Sequence, residues 1–381
     1  MLVFIRTCTA LLVALALLLG GCSAFFPSSR YHARTPSKGI GPLIPSPMVS
    51  SASTLLDTSN PLSPNTFAGM VEQGLLERFN ENEIQRVLAS WRLLDKDYYH
   101  KEYVGEPGKE ESSDMIQECH SYLPGLSIKP FWSAPNFEWA KFLESKYPQI
   151  KKEFQAVTAD MQRLQQEGNN IWAGALTEDA SAYGQDWRTL VLMNRGRWDP
   201  VNVNLFPKTA KAVHDSGVPA TEVFFASMKG QSSIKKHTDF TNFVLTSHLA
   251  VDIPYSGENK CRITVGDETH EWINGNVMVF DTSLLHDAVN ESDKMRYILM
   301  LRLWHPDLTP IECQALQFTY DCLEIPELVS SNPEERFQAE RIVESIRAFP
   351  KIQSQAQGFG GGRKRKGKKK QTSGKAKGFG A

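Results

Sequence analysis

Hydrophobic positions along this chain change their spacing three times. Leu2–Gly21 is almost wholly apolar, with one charge at Arg6 and its densest run at Ala10–Leu19. A run of that length fits a secretory signal's apolar segment of ~7–15 residues better than a full membrane span of ~20. From Phe67 to about Tyr99 the period becomes helical: Met70, Leu75 and Phe79, then Ile84, Val87, Leu88, Trp91 and Leu94, recur every three or four positions. Asn80-Glu81-Asn82 predicts a break into two helices. A further stripe (Trp139, Phe142, Leu143, Ile150, Phe154, Val157, Met161, Leu164) predicts one or two helices over Trp139–Gln165, and Trp187–Asn194 is rich in strand formers.

From Thr221 onward the spacing shortens to two. Strands are expected at Thr221–Met228, Ile234–Phe240, Asn242–Ile253, Cys261–Val265, Thr269–Trp272, Asn276–Asp281 and Arg296–Trp304. Gly266-Asp267-Glu268 and Asn274-Gly275 supply turns. Within Asn242–Ile253, Phe243, Leu245, Ser247, Leu249 and Val251 point one way, and Val244, Thr246, His248 and Ala250 the other. Many short antiparallel strands imply a jelly roll or barrel-like sandwich. Asn332-Pro333-Glu334-Glu335 then starts a helix running to about Phe349, with Asn as cap and Pro in the first turn.

Composition changes this picture at the two ends. The chain of 381 residues has a formal charge of −1, yet Arg363–Lys377 holds nine Lys and Arg and no acid, leaving the preceding residues near −10. A mildly acidic body with a basic Gly/Lys-rich tail is not the striped basic face of a nucleic-acid binder, so no specific nucleic acid is expected. The tail lacks the apolar residues for a core and is expected to be disordered. Contact with an anionic membrane is the sharper reading of its charge. Phe25–Leu56 is Ser- and Pro-rich with Arg30, Arg34 and Lys38 and no acid, the composition of a transit segment. A signal-like leader, small residues before Ala24/Phe25 and a transit-like segment resemble the two-part plastid leaders of algae with secondary plastids. The alternatives are a signal peptide into the endomembrane lumen, an uncleaved anchor, or a lipobox at Leu19–Cys22. Cys119, Cys261, Cys313 and Cys322 have no tight spacing; free thiols are expected, with a Cys313–Cys322 bridge as the alternative.

The chemistry concentrates in Ser233–Pro306. His237-Thr238-Asp239 forms an H-x-D unit, His286 follows 47 positions after Asp239, and Arg296 ten positions later. Two imidazoles and a carboxylate are the set that holds Fe(II) on one face and leaves the other open. Strand alternation would put His237 and Asp239 on one face. An Arg soon after, on a strand, suits a carboxylate cosubstrate. Other readings are open: core or surface histidines, Asp239 beside the ligands but not among them, Arg296 paired with Glu291 or Asp293, and His248 as a buried hydrogen-bonded ring. Trp132 fits either a groove or a core.

These residues, with Thr241-Asn242, His248-Leu249, Gly275–Asp281, Ser283 and Trp304-His305-Pro306, resemble the aspartyl/asparaginyl β-hydroxylase family. The resemblance implies a double-stranded β-helix and a dioxygenase using Fe(II), 2-oxoglutarate and O2, with ascorbate as a supporting reductant. It implies His237 and His286 as iron ligands, Arg296 on the distal carboxylate of 2-oxoglutarate, and His248 and Met228 beside the cosubstrate. Two departures stand out. The best-known animal members have glycine where this chain has Asp239, so a three-ligand set looks restored. They also place arginines on the strand of His248, where this chain has Val244 and Thr246. Arg302, on the face of Arg296, is the candidate replacement cation for an acidic substrate. Peptidyl side chains, lipid acyl chains and small molecules are all open as substrates, as is a non-enzymatic binding module.

The organisation expected is therefore mainly β with flanking helices. It comprises a signal-like leader (1–24), a transit-like or linker segment (25–58), a helical region with no assigned chemistry (59–118), a jelly-roll or cupin-like dioxygenase domain (119–315), a helical extension (316–352) and the basic tail (353–381).

Overall fold

The computed structural model describes residues 58, 60–160, 164, 173–174 and 186–352. The leader, nearly all of the linker and the basic tail lie outside the described residues. The elements, in order, are α1 (Phe67–Arg78), α2 (Gln85–Asp95), β1 (His100–Tyr103), β2 (Ile116–Cys119), β3 (Phe131–Trp132), α3 (Glu138–Thr158), β4 (Ala173–Gly174), β5 (Trp187–Asn194), β6 (Arg197–Trp198), α4 (Pro200–Leu205) and α5 (Pro207–Ser216). Then come β7 (Ala220–Met228), β8 (Ser232–His237), β9 (Val244–Asp252), β10 (Cys261–Val265), β11 (Glu268–Glu271), β12 (Val277–Phe280), β13 (His286–Asn290), β14 (Arg296–Trp304), α6 (Pro310–Glu324) and α7 (Pro333–Arg347).

The strands β7–β14 are shared between two antiparallel sheets. One contains the order β12-β9-β14-β7, the other β11-β10-β13-β8. That order is a jelly roll, the double-stranded β-helix the strand pattern anticipated. The first sheet is lengthened by β3 beside β12 and by β5 and β4 beside β7, which occupies edges otherwise open to pairing with another chain. Gly266 and Gly275 take φ of +54° and +87° at the two turns, where a Cβ would be strained.

The alternation in β9 assigns its faces correctly, but both faces are buried. Leu245, Leu249 and Val251 join Trp139, Leu143, Ile150 and Phe154 of α3 and Phe225 of β7 in one core. Ala250 instead faces the interior between the sheets, with Ile263, Phe280, Ile298 and Met300. A third cluster joins α1, α2 and α6 to Phe243, Val244 and Trp304 at one end of the barrel. The cap of α6 has Thr309 and Glu312 in a reciprocal capping box, and Glu312 also pairs with Arg86 of α2 at 2.7 Å. The break at Asn80–Asn82 is a short 3-10 turn between α1 and α2. Cys313 and Cys322 are free thiols on α6, so the alternative of a bridge is not realised. Among the described residues no helix is long and apolar enough to cross a membrane.

One side chain ties the segment before the barrel to the barrel. Asn242 accepts from the backbone N–H of Leu123 at 2.8 Å and donates to its carbonyl at 2.9 Å, both buried. Asn242→Ala should therefore orphan a buried N–H and C=O and lower stability by about 2–4 kcal/mol. Urea unfolding checks this, with the exposed Ser145→Ala as the control that should be within about 0.5 kcal/mol of wild type.

Candidate active site

The last residue of β8 and the first of β13, His237 and His286, stand opposite each other in the second sheet, ring centroids 4.2 Å apart. The Nδ1 of His237 lies 2.7 Å from the carbonyl of Lys235, and that of His286 lies 2.9 Å from the carbonyl of Leu284. A carbonyl only accepts, so each Nδ1 carries a proton and Nε2 is the ring nitrogen left to face a metal. Asp239 arrives differently from the expectation. The strand stops at His237, and Asp239 sits beyond it, its backbone N–H donating to the carbonyl of Thr282 at 2.7 Å. Its Oδ1 is 4.0 Å from His237 Nε2, and one ligand atom from each of His237, Asp239 and His286 lies within 4.8 Å of the others. Donors on one ion at ~2.1 Å stand about 3 Å apart in adjacent positions, so modest side-chain turns close the set.

The charge states also suit ligation. Burial alone would raise the Asp239 carboxyl, but Arg302, His286 and His237 together hold it well below the usual carboxylate range. Burial, then the neighbouring His237, push His286 down to about 4. The site thus offers a neutral His286 imidazole beside an ionised carboxylate, which fits a divalent transition metal.

Next to this set lies a buried cation. Arg296 opens β14 with no exposure, and burial lowers its pKa to about 10. Its guanidinium lies 4.1 Å over the ring of Trp272 and 5.3 Å over that of Trp187. Nη2 meets Met228 Sδ at 3.5 Å, while Nε and Nη1 are buried with no acceptor among the described residues. The anticipated alternative partners are engaged elsewhere: Glu291 with Arg262, and Asp293 with Gln231. Trp272 Nε1 donates to His248 Nδ1 at 3.1 Å, so the proton of His248 sits on Nε2, which is buried and also without an acceptor. Burial first, then Arg296 and His286, keep His248 neutral. Two unmatched donors share Trp272 as a neighbour, an arrangement that suits a carboxylate ligand.

The comparisons with known proteins agree with this geometry. The sequence model described as aspartyl/asparaginyl beta-hydroxylase matches residues 144–306. Residues 144–306 are thus similar to the aspartyl/asparaginyl β-hydroxylase family. The human protein named aspartyl/asparaginyl beta-hydroxylase is 28% identical over 200 residues, 50% of this chain and 25% of that protein. The human aspartate beta-hydroxylase domain-containing protein 2 is 26% identical over 207 residues, 52% of this chain and 53% of that one. The ornithine lipid ester-linked acyl 2-hydroxylase of Rhizobium tropici is 26% identical over 188 residues, 49% of this chain and 64% of that enzyme. The chain thus spans a quarter of the first of these relatives and about half of the second.

The matched segment does not build its site alone. Gln117 of β2 forms a bridge with Leu284, and its Nε2 donates to Ser283 Oγ at 2.8 Å. The N–H groups of His120 and Ser121 both donate to the carbonyl of Phe240, at 3.1 and 2.9 Å. Lys236 pairs with Asp114. Residues 114–121, in a stretch to which the sequence reading gave no chemistry, therefore run along both ligand-bearing segments. Tyr99, His120 and Phe240 stack in series there, at 4.7 and 5.2 Å. No spacing rule marks this stretch; only the pairing of β2 with the 281–286 turn places it. Trp187 and Trp272 were missed likewise, because neither lies at a motif distance from Arg296. Val244 is packed in the helical cap, and Thr246 lies 3.2 Å from Thr282, hydroxyl to hydroxyl. Arg302 bonds Asp239 at 2.5 Å and faces Glu222 at 3.7 Å, so its charge is already matched.

Asp281 accepts from the N–H and hydroxyl of Ser283 at 2.9 and 2.6 Å and orders the turn before His286. Burial raises its carboxyl to about 6 against those two bonds. A raised carboxyl keeps its proton longer in the native state, so stability falls as pH rises from about 4 to about 6. Asp281→Asn should be more stable than wild type at pH 7.5, by on the order of 2 kcal/mol, with the gain vanishing below about pH 4. Thermal unfolding of both proteins across that range checks the sign.

Proposed function

We propose that the protein is an Fe(II)- and 2-oxoglutarate-dependent dioxygenase that hydroxylates an unactivated C–H bond. The observation that carries this reading is one arrangement: two Nε2 atoms and a carboxylate converge beside a buried guanidinium whose remaining N–H groups lack acceptors among the described residues. His237, Asp239 and His286 would hold the iron. Arg296 would receive the distal carboxylate of 2-oxoglutarate, with His248 Nε2–H as a second donor and Met228 and Trp272 as walls. Bound iron and cosubstrate supply O2 activation: one oxygen atom goes to the substrate, and 2-oxoglutarate becomes succinate and CO2. The protein's own part is to hold the ligands neutral or charged as needed, fix the cosubstrate's far end and exclude water.

The first substrate class is a peptidyl side chain, as the name of the human relative suggests. A second class, an uncharged aliphatic chain such as a lipid acyl group, has specific support. Thr246 carries no charge, and Arg302 is matched by Asp239 and Glu222, so neither offers an unmatched cation to an acidic side chain. The Rhizobium relative's name matches this class.

Purified protein with Fe(II), O2 and ascorbate should convert 2-oxoglutarate to succinate. His286→Ala should reduce this at least ~100-fold, and Arg296→Met should raise the 2-oxoglutarate requirement at least ~10-fold. Unchanged turnover in both variants contradicts the reading. Mass spectrometry of cell extracts with and without the active protein, in separate protein and lipid fractions, locates the product that gains one oxygen.

A further inference from the structure

The two oxygens of Asp239 face different partners. Oδ1 looks toward the imidazoles, 4.0 Å from His237 Nε2, while Oδ2 accepts from Arg302 Nη1 at 2.5 Å. Arg302 reaches this point from the middle of the first sheet. It lies opposite Thr246 on β9 and opposite Glu222 on β7, and the β14–β7 register slips immediately after it. Its Nε faces Glu222 Oε2 at 3.7 Å. The three side chains are mostly buried, with 10% of Asp239, 17% of Arg302 and 25% of Glu222 exposed. A line of alternating charge therefore runs from one sheet to the ligand on the other: Glu222, Arg302, Asp239.

We propose that Arg302 is a positioning residue for the metal, and that Glu222 in turn orients Arg302. This rests on the metal-site reading above. A carboxylate just past a strand end can rotate, and with both oxygens free it could chelate through two or turn away. Arg302 occupies Oδ2, so Oδ1 is the oxygen turned toward His237, and the Thr282 side chain bonds the same carboxylate. Asp239 then donates through one atom, which keeps one more coordination position open for cosubstrate or O2. The same contact answers what Arg302 does in place of gripping an acidic substrate: its strongest bond is spent on the ligand. Partners of this kind typically change metal affinity 10- to 100-fold when removed.

Co(II) serves as the probe, its affinity read by calorimetry and its geometry by its visible absorption. Arg302→Met should weaken Co(II) binding 10- to 100-fold and change the spectrum, Arg302→Lys should recover part of the loss, and Glu222→Gln should weaken binding by a few fold. In an Asp239→Gly background, Arg302→Met should have no further effect, because the carboxylate it positions is gone. A merely structural role would act equally in both backgrounds. Wild-type affinity and spectrum in Arg302→Met overturn the proposal, as does an equal loss with and without Asp239. If Arg302→Met does not fold, Arg302→Lys and Glu222→Gln decide: wild-type behaviour in both overturns it. Failure of the wild-type protein to bind Co(II) removes the metal-site reading itself, whereas binding that is indifferent to Arg302 removes only this inference.

Discussion

A guanidinium with no exposure has to be compensated, and the interior of this barrel is arranged around that demand. Burying a charge costs several kcal/mol even after relaxation. Arg296 has two aromatic faces and one sulfur around it and, among the described residues, no carboxylate. Each desolvated cation–π contact returns roughly 2 kcal/mol or less, which leaves part of the cost standing. The rest of the fold bears that remainder, and an anion that enters the pocket relieves it. A carboxylate ligand would therefore bind with the help of a penalty already met in folding. Trp272 couples this cation to the iron side, because the ring under Arg296 also donates to His248 and fixes its tautomer.

The second sheet supplies the iron side by a different device. His237 and His286 are set by register, and their Nδ1 protons are fixed by carbonyls of their own chain segments. Asp239 is set by tertiary contacts: the backbone of Thr282 and the guanidinium of Arg302. With Fe(II) and a 2-oxoglutarate dianion bound as proposed, Asp239 and Arg296 would bring the site into charge balance, and Arg302 with Glu222 balance again. A further formal charge from a substrate would upset that balance.

Much of this was legible in the sequence because it rests on local periodicity. Period two placed His248 on the inner face of β9, and the distances from His237 to His286 and Arg296 picked out residues that do converge. Helix breaks and caps at Asn80 and Asn332 follow from side-chain chemistry near in sequence. What was not legible depends on which strands become neighbours. Alternation predicted Asp239 on the strand, but pairing with β13 ends at His237, and the backbone N–H and carboxylate of Asp239 are held by residues 43 and 63 positions away. Gln117 reaches the site across 166 positions, and Trp187 reaches Arg296 only because β5 pairs with β7 at Met228. Arg302 was expected as a cation for an acidic substrate, but its side chain bonds Asp239 and faces Glu222.

The central claim is that the buried cation and the metal set form one site for one cosubstrate. Titration of 2-oxoglutarate under anaerobic conditions, into protein with and without Mn(II), tests it most directly. The account predicts saturable binding to the Mn(II)-loaded protein, weaker by at least about tenfold without metal and by a similar factor in Arg296→Met. Binding that ignores both the metal and Arg296, or no binding to the loaded wild-type protein, would contradict it.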